Sequence, residues 1–237
     1  MEESIKMRGG NNITRENIMS DYRIKLCGMM RDCDIDFANE AKPDFVGFVF
    51  ADTRRKVTRQ QATRFRSNLS DEIRAAGVFV DEDVTRVGEL LKDGIIDVAQ
   101  LHGHEDADYI RRLKDICDKP VIKAVKVASV VDIVNAGKLD VDYLLLDTYK
   151  KGVLGGTGEA FNWEIIHEAK KQDIISMESG LLFGKRFFLA GGINIDNIKR
   201  AAEEVKPFGV DLSTGIETDG YKDKYKMIEA VRRIRNV

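Results

Sequence analysis

The sequence predicts an α/β protein, a closed (βα)8 barrel built as one domain behind a short N-terminal extension. Three observations carry that prediction. Eight short apolar runs recur along the chain, and the segments between them place their apolar residues at helical spacing. The runs are apolar nearly throughout, as in Val46, Phe48, Val49 and Phe50 or in Leu144-Leu145-Leu146, the pattern of parallel strands covered on both faces. The length of 237 residues suits a single barrel with a substantial core. An open doubly wound sheet would need a switch point and usually fewer strands.

Taken in order, residues 1–21 carry Gly9-Gly10-Asn11-Asn12, several charges and little apolar periodicity, so they read as an extension outside the barrel of residues 22–237. Strands are expected at Arg23–Cys27, Phe45–Phe50, Ala75–Val80, Val98–Leu101, Val121–Val125, Tyr143–Leu146, Phe187–Ala190 and Gly209–Leu212. Helices fit between them at Asp36–Glu40, Arg59–Leu69, Val84–Leu91, Asp106–Ile116, Val130–Ala136, Trp163–Ala169, Asp196–Glu204 and Tyr221–Ile234. The stretch between Lys170 and Lys185 is too long for an ordinary helix-to-strand connection and reads as an insertion.

Composition excludes several classes. Lys plus Arg number 38 against 40 Asp plus Glu, and a net charge of −2 gives no bulk attraction for nucleic acid. No apolar run approaches the ~20 residues of a membrane span, and no signal-peptide core opens the chain. Three cysteines without framework spacing, Cys27, Cys33 and Cys117, point to free thiols in the cytoplasm.

The most telling stretch is Phe187–Glu217. Gly191-Gly192 follows one apolar run and precedes a helix that Asn194 could cap; Ser213-Thr214-Gly215 follows the next run. Two tight turns with no ligand would be the bland account. On neighbouring strands at the end of a repeated βα chain, however, such turns form a cup of N–H donors suited to a phosphate dianion.

The other strand ends hold the chemistry-bearing side chains. Cys27 ends the first run, where it is either a buried structural thiol or a base needing a modest drop in pKa. Arg54-Arg55-Lys56 follows the second run, either a solvated charge run or a fork for an anionic group. His102 and His104 follow the fourth, but no further ligand stands at metal-binding spacing and no metal is expected. Lys123 reads better as a salt-bridged or phosphate-neutralising lysine than as a Schiff base. Asp147 ends the sixth run, where partial burial would suit a general acid and a turn cap is the plain alternative. Gly155-Gly156-Thr157-Gly158-Glu159 then has the glycine content of a lid.

These motifs, with Val46-Gly47-Phe48-Val49-Phe50, Gly77-Val78-Phe79-Val80, Gln100-Leu101-His102-Gly103, Leu146-Asp147-Thr148 and Val210-Asp211-Leu212-Ser213-Thr214-Gly215-Ile216-Glu217, occur in the order of the phosphoribosylanthranilate isomerases. The resemblance covers about residues 23 to 236. It implies an Amadori rearrangement of a phosphosugar substrate in tryptophan biosynthesis, without a cofactor, by a monomer or homodimer. It also implies Cys27 as general base and Asp147 as general acid, with Arg55 holding the anthranilate carboxylate. Gly191, Gly192, Ser213, Thr214 and Gly215 would hold the phosphate. The shortened loop Ala51-Asp52-Thr53-Arg54 leaves Arg54 as the alternative to Arg55, and Met29-Met30 stands where a Thr is frequent. A related aminoaldose–ketose isomerase would need a carboxylate where Cys27 stands. A non-catalytic phosphosugar-binding protein would have little use for Cys27 and Asp147 together.

Overall fold

The computed structural model describes residues 22–147, 163–175 and 181–237. The expected extension at 1–21 and the glycine-rich loop at 155–159 lie outside those residues. Eight parallel strands form the wall: β1 (Arg23–Cys27), β2 (Phe45–Val49), β3 (Arg74–Phe79), β4 (Val98–Leu101), β5 (Val121–Lys126), β6 (Tyr143–Asp147), β8 (Lys185–Ala190) and β9 (Gly209–Leu212). Each pairs with its predecessor, β6 pairs with β8, and β9 returns to β1, so the sheet closes. The helices are α1 (Asp32–Ala41), α2 (Arg59–Asn68), α3 (Val84–Lys92), α4 (Ala107–Ile116), α5 (Val130–Gly137), α6 (Glu164–Lys171), α7 (Ile198–Val205) and α8 (Lys224–Arg235). Among the described residues, no helix is long and apolar enough to cross a membrane.

Strand periodicity sorts the core into two layers. Leu144, Leu146, Phe187 and Leu189 pack outward against the helices, while Leu145, Phe188, Phe45 and Ile122 fill the barrel interior. The same alternation on β1 sends Ile24 and Leu26 to the helices, leaving Lys25 and Cys27 on the inner face.

The lower rim carries a repeated device. Asp44, Asp97 and Asp142 each stand immediately before an even-numbered strand, β2, β4 or β6. Each accepts a hydrogen bond from a backbone N–H of the preceding strand: Ile24 at 2.8 Å, Ala75 at 2.8 Å and Val121 at 2.9 Å. The backbone N–H of each Asp in turn donates to the carbonyl of that same residue, which pins strand to strand in register.

Three expectations change. The first helix starts at Asp32 rather than Asp36, because Asp34 accepts from the N–H groups of Met30 and Arg31 and so nucleates a polar first turn. Asn194 does not cap α7; its side chain accepts from Asp196 and Asn197 N–H in a local turn, and the helix begins at Ile198. The last helix begins at Lys224, capped by Asp223, because Tyr221 and Lys222 belong to a hairpin. That hairpin pairs β10 (Glu217–Thr218) with β11 (Tyr221–Lys222) around Asp219 (φ +52°) and Gly220 (φ +81°). Within the expected insertion, β7 (Leu181–Leu182) folds back antiparallel on β8 through Phe183 and Gly184.

Candidate active site

A cavity of about 1000 Å³ opens at the carboxyl ends of the strands. Cys27, Arg55, Asp147, Gly191, Gly192, Ser213 and Thr214 all line it. Seven of the eight residues singled out in the sequence therefore share one space. The eighth, Gly215, does not face it, and neither does Arg54.

The wall after β8 and β9 is built from backbone turns. Gly191 and Gly192 take φ of +91° and +64°, a left-handed pair that side chains would strain. Asn194 and Gly215 form a parallel bridge, so the turns after β8 and β9 are stitched together. A Cβ on Gly215 would collide with the Ile193 carbonyl oxygen, which explains this glycine by close approach of the two turns.

Cys27 sits over a buried set of charges. Lys25, two residues earlier on the same inner face, donates to Asp211 Oδ1 at 2.8 Å. The Lys25 side chain is fully enclosed; burial alone would lower its pKa, but Asp211 and Cys27 raise it overall. Burial pushes the Cys27 thiol up; Lys25 and Lys222 oppose that rise and Asp211 adds to it. The modest drop in thiol pKa expected from the sequence is therefore reversed, because desolvation outweighs the ammonium groups. Gly47 stands opposite Cys27 in register, and a Cβ there would come within 2.6 Å of the Cys27 sulfur.

Asp147 lies three strand steps from Cys27, by way of β9 and β8. His102 Nε2 stands 3.8 Å from Asp147 Oδ2, and His102 Nδ1 is 3.3 Å from Gln100 Nε2. When the Gln100 amide donates to Nδ1, the neutral ring carries its proton on Nε2, facing Asp147. His104 turns away to Asp81, at 2.9 Å, so the two histidines do not converge. Lys123 donates to Glu105 at 2.7 Å and to the Gly103 carbonyl at 2.8 Å, a salt-bridged lysine as expected.

Arg55 and Arg54 meet at Glu217. Arg55 Nε and Nη2 donate to the two Glu217 oxygens at 2.8 and 3.1 Å, which leaves the opposite edge of the guanidinium for a ligand. Arg54 also donates to Glu217 and to the Gly220 carbonyl, but from the outer rim. Lys222 donates to Glu217 Oε1 at 2.8 Å. Against burial, which opposes it, these hydrogen bonds from Arg55 and Lys222 bring the Glu217 pKa down to about 2. Lys25, Gln100, Asp211, Glu217 and Lys222 were not singled out from the sequence. The i, i+2 spacing of Lys25 and Cys27, and the Asp219-Gly220 hairpin signal, were the available signs.

A closed parallel barrel, with paired turns, a thiol and a carboxyl around the cavity at its strand ends, is a (βα)8, or TIM, barrel with its candidate site where such barrels carry their chemistry. The profile of the N-(5'-phosphoribosyl)anthranilate (PRA) isomerase family matches residues 24–233, and the chain belongs to that family. It is 43% identical over 215 residues to the N-(5'-phosphoribosyl)anthranilate isomerase of Endomicrobium trichonymphae, covering 91% of this chain and 99% of the relative. A solved phosphoribosylanthranilate isomerase in complex with reduced 1-(o-carboxyphenylamino)-1-deoxyribulose 5-phosphate superposes with a TM-score of 0.74 at 27% identity, over 91% of this chain and all (100%) of that one. A structure of monomers of the dimeric enzyme from Thermotoga maritima gives the same TM-score, 0.74, the same identity, 27%, and the same coverage, 91% and 100%.

Proposed function

We infer that the chain catalyses the isomerisation for which its family is named, the Amadori rearrangement of N-(5'-phosphoribosyl)anthranilate in tryptophan biosynthesis. The observation that carries the assignment of roles is that Cys27, Asp147, Arg55 and the paired turns line one cavity. Asp147, as the acid, donates its proton to the ribose ring oxygen, and the furanose opens to an iminium. Cys27, as thiolate, takes the proton from C2′ and leaves an enolamine, which tautomerises to the 1-amino-1-deoxyketose. His102 Nε2, 3.8 Å from Asp147 Oδ2, turns its ring edge to the carboxylate that forms. Arg55 holds the anthranilate carboxylate with the guanidinium edge that Glu217 leaves open. Gly191, Gly192, Ser213 and Thr214 hold the phosphate, with Gly215 letting the turns close up; this remote grip supplies binding energy for positioning.

The assay is loss of anthranilate-type fluorescence when the adduct, generated in situ, meets the purified chain. Absence of any enzyme-dependent loss would overturn the assignment. The protein works in the cytoplasm as a monomer or homodimer. Three free thiols, Cys27, Cys33 and Cys117, support the first point, and the dimeric and monomeric forms of the Thermotoga maritima enzyme support the second.

A further inference from the structure

We propose that Lys222 is a positioning residue for the reaction: an ammonium that the β10–β11 hairpin delivers beside Cys27 to hold the negative charge of its thiolate. The proposal rests on the reading of Cys27 as the base. The Lys222 side chain has no exposed surface, although it follows a tight surface turn. Its Nζ donates to the Ser213 carbonyl at 2.9 Å and to Glu217 Oε1 at 2.8 Å. It lies against Gly28, the residue after Cys27, where an added Cβ would stand only 3.4 Å from the nitrogen. Gly28 has φ +92° and no side chain, and the space this leaves is taken by Arg55 Cδ, 2.5 Å from such a Cβ, with the Lys222 ammonium beside it.

The charges around the thiol explain why a lysine is kept there at the expense of desolvation. Lys25 on β1, Asp211 on β9 and Lys222 on β11 are the charged groups that act on Cys27, whereas β2 and β3 present the uncharged Gly47, Val49 and Val78. Two ammonium groups against one carboxylate leave a single positive charge, which a Cys27 thiolate neutralises. Glu217 does not need Lys222 as its counter-ion, since Arg55 and Arg54 both pair with it. Burial lowers the pKa of Lys222 and raises that of Cys27, and each group opposes the shift of the other.

The test uses the full chain carrying Cys33→Ser and Cys117→Ser, so that Cys27 is the sole thiol. Alkylation by iodoacetamide, followed by mass, is measured against pH; its rate tracks the thiolate fraction. Lys222→Met is expected to raise the midpoint by about one pH unit, and the alkaline limb of kcat/KM should move with it. Lys222→Arg should keep the midpoint near that of the parent, and so should Lys226→Met, which removes a nearby charge that donates to the Glu217 carbonyl from α8. An unchanged midpoint in folded Lys222→Met overturns the proposal. So does an equal rise in Lys222→Arg or Lys226→Met; the Arg and Lys226 variants keep the question decidable if the Met chain does not fold. A raised midpoint in Lys222→Met, combined with full isomerisation by Cys27→Ser, would keep Lys222 as the thiolate's counter-ion and overturn the base assignment alone.

Discussion

The two ends of the barrel use carboxylates in opposite ways. At the lower rim, Asp44, Asp97 and Asp142 repeat at the same place before alternate strands and take backbone N–H groups as donors. Among the described residues, the upper rim carries no such repeat. Asp147 faces a histidine, Asp211 a buried lysine, and Glu217 two arginines and a lysine. A backbone N–H cannot change its charge, so these bonds serve strand register; Asp44 also pairs with Arg23 and Arg235, and Asp97 stands 3.8 Å from Arg66, ion pairs that likewise tie neighbouring elements together. Side-chain partners that carry or exchange charge are what the proposed proton transfer and charge recognition at the upper rim require.

The largest expected effects come from breaking the upper rim. Cys27→Ser and Asp147→Asn should each lower kcat by about 10²–10⁴-fold while leaving thermal unfolding close to that of the parent. If either variant kept more than about a tenth of the parent kcat, less than ~1.4 kcal/mol of barrier would be at stake, and that residue would lose its role. The pH dependence follows from the states assigned. The thiolate fraction grows with pH up to the thiol pKa, and the fraction of carboxylic acid falls above the carboxyl pKa. With the thiol titrating above the carboxyl, the product of the two fractions stays flat between the two pKa values. It falls on the acid side, where the thiolate is lost, and on the alkaline side, where the carboxylic acid is lost, so kcat/KM should be bell-shaped. Because burial raises Cys27, the alkaline limb of kcat/KM should lie above the ordinary thiol value of 9.0. A limb at or below that value would contradict the environment described for Cys27.

Breaking the lower rim should do the reverse. Asp97→Ala removes the acceptor of the Ala75 N–H, and a hydrogen bond to a charged group contributes about 1.5–3 kcal/mol. For a chain of this size, that is a fall in Tm of several degrees. Since Asp97 lies at the far end of the strands from the cavity, kcat/KM at 25 °C should stay within about twofold of the parent. A stable Asp97→Ala chain with a large loss of activity would erase the distinction between the two ends.

How much of this was readable in the sequence follows from the range of each interaction. All eight barrel strands were legible because a buried parallel strand is apolar throughout, a purely local property. Gly191-Gly192 and Ser213-Thr214 were legible because turn chemistry is local too. The pairing of Lys25 with Asp211 spans 186 residues, and nothing local in either strand announces it. Glu217 and Lys222 were passed over for another reason: residues from Tyr221 onward fit a helical pattern, and the Asp219-Gly220 turn between them went unweighed. The start of α1 was missed because its first turn is polar and held by Asp34 rather than by apolar spacing. Local chemistry thus marked the paired turns and the candidate acid and base, while closure of the barrel alone brought Lys25, Asp211, Glu217 and Lys222 to the same rim.

The smallest effect concerns Glu217, and it tests the comparison through stability rather than turnover. Its folded-state pKa is lowered from 4.5 to about 2, with burial opposing and the hydrogen bonds from Arg55 and Lys222 prevailing. A carboxyl with a depressed folded pKa binds its proton more readily in the unfolded chain. Its contribution to stability is therefore complete above pH 4.5 and is lost as the pH falls from there toward 2. In Glu217→Gln the site has no charge at any pH, so the variant should resemble protonated wild type. The gap in urea midpoint between wild type and Glu217→Gln should then be widest near neutrality and should close as the pH drops through that window. Added salt should narrow it at neutral pH, because this carboxylate is held by charges at a partly open rim. In Asp97→Asn, by contrast, the amide oxygen can still accept the Ala75 N–H, and the gap should be small at neutral pH. A Glu217→Gln gap that ignored both pH and salt would mean that this upper-rim carboxylate acts as a neutral acceptor, as Asp97 could, and the contrast between the two ends would fail at that residue.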